Sequence, residues 1–470
     1  MKGNSYQKLM NNSLIMGIGE LGSKGITLLL VQLYTFYLTQ SEYGLVDIIQ
    51  VTINLLVPII SLSIFEGVLR YVMDKEDTTV VFTNGFFITC IGSLITIFVT
   101  FYLNYFEFFN QLESILPYIC LAVILQLFQA LYSQFVRGIG KIAVFAINGI
   151  VIAVTTLCMN LIFIVWLKMG IEGYLLSVII SLIVSLVFIN LNVNTFKYLK
   201  INSITLKMNK KLLGYSLPLI PNSIMWWIIN ASSRYFILIF AGTAANGLFA
   251  VASKIPSLLT IFNSIFIKAW QLSAVEEYNS DNKSVFYGTI FNFYQQFLFI
   301  AVAGILILLK PIFEHAIGQD YYEAWKFVPF LLVSVLFSSF SSFLGTNYIA
   351  SKKTNGVFKT SVIGGGANLV LNIITIPFLG VIGASLSSML SFLLITIIRW
   401  YDTKKFITIK YNYRSIFINM FLISLIIGSM YLNIERNLEI SLQLIIFGFI
   451  IANNLQVINS ILKILKNKLF

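Results

Sequence analysis

The chain has 470 residues, 58% of them hydrophobic and only 11% charged, with a mean hydropathy of +0.88. A water-soluble globular chain carries roughly 25% charged residues, so a string of soluble domains is excluded and the chain belongs in a lipid bilayer. Its net charge of +12 predicts no nucleic-acid partner there, because Lys and Arg beside apolar spans report orientation first.

Apolar windows of about 20 residues predict spans near 13–38, 44–69, 80–103, 115–136, 142–167, 171–191, 213–240, 246–270, 285–309, 325–350, 356–377, 380–402, 415–433 and 440–462. The first apolar stretch is too long for a cleavable signal, is interrupted by Glu20 and Lys24, and is followed by no small-x-small cleavage site. The runs are continuous rather than alternating, and an isolated strand in lipid would leave its backbone unpaired. The fold class is therefore all-α, a polytopic membrane protein of about fourteen transmembrane helices. About eleven residues remain for each connection, too few for a soluble catalytic domain.

With the amino terminus inside, 24 of the 31 Lys and Arg fall on one side of the membrane, and only Lys168, Lys310, Lys326 and Arg436 fall on the other. That asymmetry predicts both termini in the cytoplasm. Lys24, Arg234 and Lys254 are left at membrane depth.

The repeat signal is internal. KIAVFAINGIVIAVTTLCMN from Lys141 to Asn160 aligns with the segment from Lys353 to Asn372, and Gly170, Gly173, Ser177 and Ser181 then fall on Gly380, Gly383, Ser387 and Ser391. The two halves share an orientation, which places a binding site between them. The predicted organisation is a six-helix half over 1–191, a basic cytoplasmic linker over 192–212, a second six-helix half over 213–402, and two additional helices with a basic tail over 403–470.

Ionisable groups inside a membrane are costly, so they are candidates for function. Glu20 and Lys24 are spaced i, i+4 with the acid first, the better order for a pair. Lys24 lies about 16 Å from the inner end of its span, near the midplane. Arg234 sits in the outer third of the seventh span and Lys254 about 12 Å into the eighth. Three cations on the opening helices of the two halves suit a cavity that binds an anion; Lys24 can instead be neutralised by Glu20, and Arg234 can snorkel outward. Asp47 and Glu66 lie near span ends, where coupling-ion, gating, capping and solvated roles are all open. Pro218, Pro221 and Pro256 sit where moving helices bend. Asn84, Asn148, Asn160, Asn230, Asn263, Asn368 and Asn372 offer amides to sugars, or join helices.

Other motifs carry less. Gly17, Gly19 and Gly22 spell GxGxxG, but a lipid span surrounds them and no strand precedes them, so close packing or a bend is expected instead of a dinucleotide. No Walker lysine motif occurs. Cys90, Cys120 and Cys158 lie in apolar runs without metal or disulfide spacing. His315 falls in an outer loop beside Glu314, near Asp320 and Glu323, and reads as solvated. No cofactor, metal or catalytic residue is expected.

LTQSEYGLVDIIQ from Leu38 to Gln50, Glu66 with Arg70, and AANGLFAVASKIPSLL from Ala244 to Leu259 resemble the bacterial polysaccharide flippases, the Wzx-like members of the multidrug/oligosaccharidyl-lipid/polysaccharide exporter superfamily. The resemblance covers essentially the whole chain. It implies a transporter, not an enzyme, in the bacterial plasma membrane. It implies export of an undecaprenyl-pyrophosphate-linked oligosaccharide to the outer leaflet by alternating access, coupled to a proton or sodium gradient. Membrane lipids and a polysaccharide polymerase are the implied partners. The related lipid II flippase uses basic residues of its first, second and eighth spans; Lys24 and Lys254 are the counterparts by span and character, and the second span has no certain match. The resemblance also implies that the last two spans form a groove for the lipid tail. No carboxylate lies deep in the seventh span, which leaves the coupling site open.

Two alternatives differ in their residues. A multidrug exporter of the same superfamily normally has twelve spans and an acidic cavity, whereas the deep charges here are mostly basic. A membrane polymerase or acyltransferase needs sizeable loops with clustered acids, His or Arg, and the largest outer loop here, about Lys310 to Ala324, is small. The topology predicts that, with the three native cysteines replaced by serine, Ser280→Cys reacts with a membrane-impermeant maleimide only from the cytoplasmic side and Gln319→Cys only from the outside. Labelling of both from one side would overturn it.

Overall fold

The computed structural model describes residues 2–103, 114–351, 353, 355–432 and 434–455. Among them are fourteen α-helices and no strand. The chain divides into two compact units, residues 1–235 and 236–470.

The first unit contains α1 (Lys2–Tyr37), α2 (Gln40–Ile60), α3 (Ile64–Met73), α4 (Thr78–Leu103), α5 (Leu116–Gly138), α6 (Ile142–Asn160), α7 (Gly170–Val193), α8 (Leu206–Ser216) and the opening arm of α9 (Ile220–Glu276). The Leu38–Gln50 motif begins with a capping box. The Thr39 amide donates to Glu42 Oε2 at 2.8 Å, and the Glu42 amide donates to Thr39 Oγ1 at 3.3 Å, which satisfies donors that the first turn of a helix leaves open.

Sequence predicts an unbroken second span over 44–69, but the helix stops at Ile60 and resumes at Ile64. Pro58 removes one backbone donor. Leu62 and Ser63 then adopt left-handed backbone, each at φ 51°, while the Ser63 amide donates back to the Pro58 carbonyl at 2.8 Å. The break is accommodated by Gly92 of α4, where a Cβ would stand 2.8 Å from the Ile60 carbonyl oxygen. Beyond it, Ile64 and Val68 are fully buried in a core with Phe82, Phe135 and Leu212.

The basic segment between α7 and α9 is built into this core. Met208 and Leu212 of α8 are buried there. Asn84 donates to the Ser203 carbonyl at 2.8 Å and accepts from the Thr205 amide at 2.9 Å, and Thr83 donates to the Tyr198 carbonyl at 2.8 Å. Lys211 pairs with Glu76, whose carboxylate holds the ammonium above its ordinary range.

The second unit contains the remaining arm of α9, α10 (Lys283–Ala316), α11 (Val328–Ala350), α12 (Asn355–Thr403), α13 (Tyr413–Tyr431) and α14 (Arg436–Asn453). Among the described residues, eleven helical stretches are long and apolar enough to cross a membrane. Two of these, Ala231–Val275 and Gly356–Thr403, run to 45 and 48 residues, about twice the length that spans the hydrocarbon. They are interrupted by Gly242 (φ 87°, ψ 178°) and Gly380 (φ 55°, ψ −134°) and supply two predicted spans each. α1 covers the first predicted span. In α12 the chain turns back on itself. Thr375 Oγ1 lies 3.0 Å from the Gly383 carbonyl and 2.8 Å from Ser387 Oγ, and Arg399 Nε donates to Thr360 Oγ1 at 2.9 Å.

The repeat seen in sequence recurs in local geometry. Gly170 and Gly380 have φ of 54° and 55°, a region that only glycine enters cheaply. A Cβ at Gly173 would stand 3.1 Å from the Phe163 carbonyl oxygen, and one at Gly383 would stand 2.5 Å from that of Thr375. Ser177 and Ser387 are fully buried, as are Asn160 and Asn372. Matched glycines thus let matched hairpins close backbone against backbone. Gly383→Ala should therefore cost about 1–3 kcal/mol, read as a lowered Tm of the purified protein. Gly428→Ala, where nothing lies within 4 Å of the added Cβ, should leave Tm unchanged; equal Tm values for the two variants would contradict the close-approach reading.

Candidate functional site

α2 and the opening arm of α9 meet in the first unit around one ion pair. Trp227 Nε1 donates to the Val51 carbonyl at 2.9 Å, and the Tyr235 hydroxyl lies 2.6 Å from Thr52 Oγ1. These two contacts seat the α9 arm so that Arg234 Nε donates to Asp47 Oδ2 at 2.6 Å, with side chains only 15% and 8% exposed. Sequence leaves Arg234 free to snorkel and Asp47 free to cap or be solvated. The geometry instead turns them toward each other, because a charge withdrawn from water needs an opposite charge and hydrogen bonds. One turn along α2, Gln50 accepts from the Tyr174 hydroxyl at 3.0 Å. Tyr174 stacks edge-on against Tyr34, whose hydroxyl accepts from Asn160 at 3.0 Å. A buried polar chain therefore runs from Asn160 of α6 through α1 and α7 to α2.

Lys24 is on α1, with an exposed side chain, and has no ion-pair partner among the described residues. The same helix also carries Leu21, Leu29 and Phe36, all exposed. It packs on α6, where a Cβ at Gly19 would lie 2.9 Å from Ala146 Cβ. Of the glycines of this helix, Gly19 serves close packing, whereas nothing lies within 4 Å of a Cβ at Gly25. Glu20 is in the same helix, with its side chain outside the described residues. Glu66 opens α3 and accepts from Gln134 Nε2 of α5 at 3.5 Å. Lys254 is in the second arm of α9, in the other unit, half-buried and two residues before the buried Pro256. Within the first unit the structure thus joins Arg234 to Asp47, and leaves Lys24 and Glu66 outside that pair.

The amides proposed for sugars are largely engaged in helix packing. Asn84 holds the basic segment, Asn148 accepts from Ser185 at 2.9 Å, Asn263 accepts from Tyr294, and Asn372 donates to Asn368 at 2.9 Å. The side chain of Asn230 lies outside the described residues. Among the described residues no group of three or more His, Cys, Asp or Glu stands close enough to hold a metal.

Sequence reasoning missed two charged sites. Lys310, counted as an outer-surface charge, donates to both oxygens of the buried Glu439 at 2.8 and 2.9 Å and to the Met430 carbonyl at 2.9 Å. It thereby ties α13 and α14 to α10. Both residues occur at the same ends of their predicted spans, and that shared depth is the signal that could have paired them. Arg399, counted on the basic side, is 6% exposed. It donates to Thr360 Oγ1, the Ser341 carbonyl, the Val357 carbonyl and Ser361 Oγ at 2.9–3.3 Å. A Cβ at Gly345 would meet its guanidinium at 2.8 Å.

With this geometry established, known proteins place the chain. The family model described as "Polysaccharide biosynthesis protein" matches residues 9–271, more than half of the chain. No curated protein sequence matches it. Among solved structures, the lipid II flippase MurJ in an inward closed conformation is similar, with a TM-score of 0.70 and 14% identity, covering 96% of this chain and 99% of that one. An inward-facing multidrug resistance MATE family transporter of the MOP superfamily gives a TM-score of 0.61 at 14% identity, over 85% of this chain and 95% of that one. A mutant of the Vibrio cholerae MATE transporter VcmN gives 0.59 at 13%, over 85% and 96%. At such identities the likeness to these structures is one of fold. The chain belongs to the polysaccharide biosynthesis protein family, as a many-helix membrane protein whose fold is similar to that of the lipid II flippase.

Proposed function

We propose that the protein moves an undecaprenyl-pyrophosphate-linked oligosaccharide, the repeat unit of a cell-surface polysaccharide, from the inner to the outer leaflet of a bacterial plasma membrane by alternating access. Both termini are cytoplasmic in this reading, and a polymerase of the same pathway consumes the product. The observation that carries it is Lys24: an exposed ammonium on α1, with the exposed apolar side chains of Leu21 and Leu29 on the same helix and no ion-pair partner among the described residues. A pyrophosphate crossing the hydrocarbon must exchange its water for opposite charge, and Lys24 and Lys254 are the lysines proposed to supply it. The overlap with the lipid II flippase fold over 96% of the chain supports the same reading. The fold is also shared with multidrug transporters over 85% of the chain, but a cationic drug gains nothing from deep lysines.

Arg234 is the third cation of this proposal, and Asp47 its switch. In this conformation the pair is closed. A proton or sodium ion arriving at Asp47 competes with Arg234 for the carboxylate and releases the guanidinium toward phosphate, which gives gradient energy a route into substrate binding. Glu20 and Glu66 are the other acids of this coupling proposal. The chain performs no catalysis in it and needs no cofactor.

Lys24→Ala and Lys254→Ala should each reduce surface polysaccharide at least about tenfold in cells while protein level stays normal, consistent with loss of a buried charge contact. Wild-type polymer with both lysines removed would overturn the cationic mechanism. Removing one member of a buried pair strands the other and costs about 3–5 kcal/mol. Asp47→Ala should therefore lower Tm in the purified protein more than Asp47→Ala combined with Arg234→Met does. An additive double variant would contradict a direct pair.

A further inference from the structure

Within the second unit, α10, α11, the closing arm of α12 and α13 enclose a cavity of about 190 Å³. Its lining is apolar, with Phe291, Phe340, Trp400, Tyr411 and Phe417 among its walls. The Thr396 hydroxyl in the wall is spent on the Phe337 and Phe392 carbonyls at 2.8 Å. A water needs two to four polar partners, and apolar cavities stay dry. The space corresponds to about six water volumes, which suits a stretch of straight hydrocarbon chain.

The mouth of the cavity is aromatic and basic. Trp400 lies 6.2 Å from Tyr411 and 5.7 Å from Tyr413, ring centre to ring centre, the pairing of Trp with Tyr that marks a membrane–water boundary. Lys404 Nζ stands 4.3 Å from the centre of the Trp400 ring. Residues 404–414 contain Lys404, Lys405, Lys410 and Arg414 and no acid. Lys405 is paired with Asp402 at 2.8 Å. Lys404, Lys410 and Arg414 are exposed and pair with no carboxylate among the described residues.

From this combination we infer that the cavity holds one acyl chain of a resident anionic phospholipid, with the headgroup phosphate bound by Lys404, Lys410 and Arg414. The charge at the mouth selects an anionic headgroup. A space of about 190 Å³ walled by aromatic rings favours a straight acyl chain over a thicker branched isoprenoid, which makes this lipid a fixed companion of the fold and not cargo. The site lies within one unit and does not depend on the transport reading.

The test uses the purified full-length chain, titrated with phosphatidylglycerol or phosphatidylcholine of identical acyl chains and read by native mass spectrometry. Wild type should retain phosphatidylglycerol about tenfold or more better than phosphatidylcholine. The Lys404→Gln, Lys410→Gln, Arg414→Gln triple variant, altered only at exposed positions, should retain the two lipids equally. Met420→Trp, which fills the cavity, should retain neither. Unchanged phosphatidylglycerol retention in the triple variant would overturn the proposal, and this outcome decides the matter even where Met420→Trp fails to fold. Displacement of phosphatidylglycerol by equimolar undecaprenyl phosphate would also overturn it, since the site would then belong to the carrier lipid.

Discussion

Everything in this protein is arranged around one constraint: in hydrocarbon, no backbone group or charge can borrow a partner from water. Helices satisfy the backbone, and the exceptions show how strictly. At the break in the second span, the Ser63 amide finds the Pro58 carbonyl. At the basic segment, Asn84 answers one carbonyl and one amide. Arg399, buried near the end of α12, spends its donors on two carbonyls and two hydroxyls.

The same constraint sets how helices meet. Lipid tails are as apolar as Leu, so apolar burial gives little drive for one helix to associate with another, and close packing with interhelical hydrogen bonds takes over. Glycines accordingly stand where backbones touch: Gly19 on Ala146, Gly92 on Ile60, Gly383 on Thr375. The matched pair Gly170 and Gly380 closes corresponding hairpins with the same positive φ. Against that background, the exposed lysine on α1 and the buried Asp47–Arg234 pair are the charges on which the proposed transport rests.

Much of the fold was legible in the chain itself. Hydropathy alone placed the spans, since an apolar run of about 20 residues has few other uses, and the alignment of Lys141–Asn160 with Lys353–Asn372 anticipated matched glycines at both turns. The break at Leu62 and Ser63 was not legible, because Pro58 is tolerated in many continuous membrane helices and the left-handed residues that follow are not glycine. Charges were harder than helices. Counting Lys310 and Arg399 by side hid their burial, because depth within a turn of a span end is below what a hydropathy window resolves. The Asp47–Arg234 pair joins positions 187 apart, and nothing local in either segment announces the other. Most candidate amides proved to be packing groups, the expected use of Asn between membrane helices.

The central claim is that the substrate is an anionic, lipid-linked sugar. The most direct measurement deletes the gene and identifies, by mass spectrometry of extracted lipids with leaflet-selective labelling, what accumulates. The account predicts an undecaprenyl-pyrophosphate-linked oligosaccharide trapped on the cytoplasmic leaflet and cleared when the intact protein is restored. Unchanged lipid-linked sugars, together with a new sensitivity to cationic drugs, would contradict it.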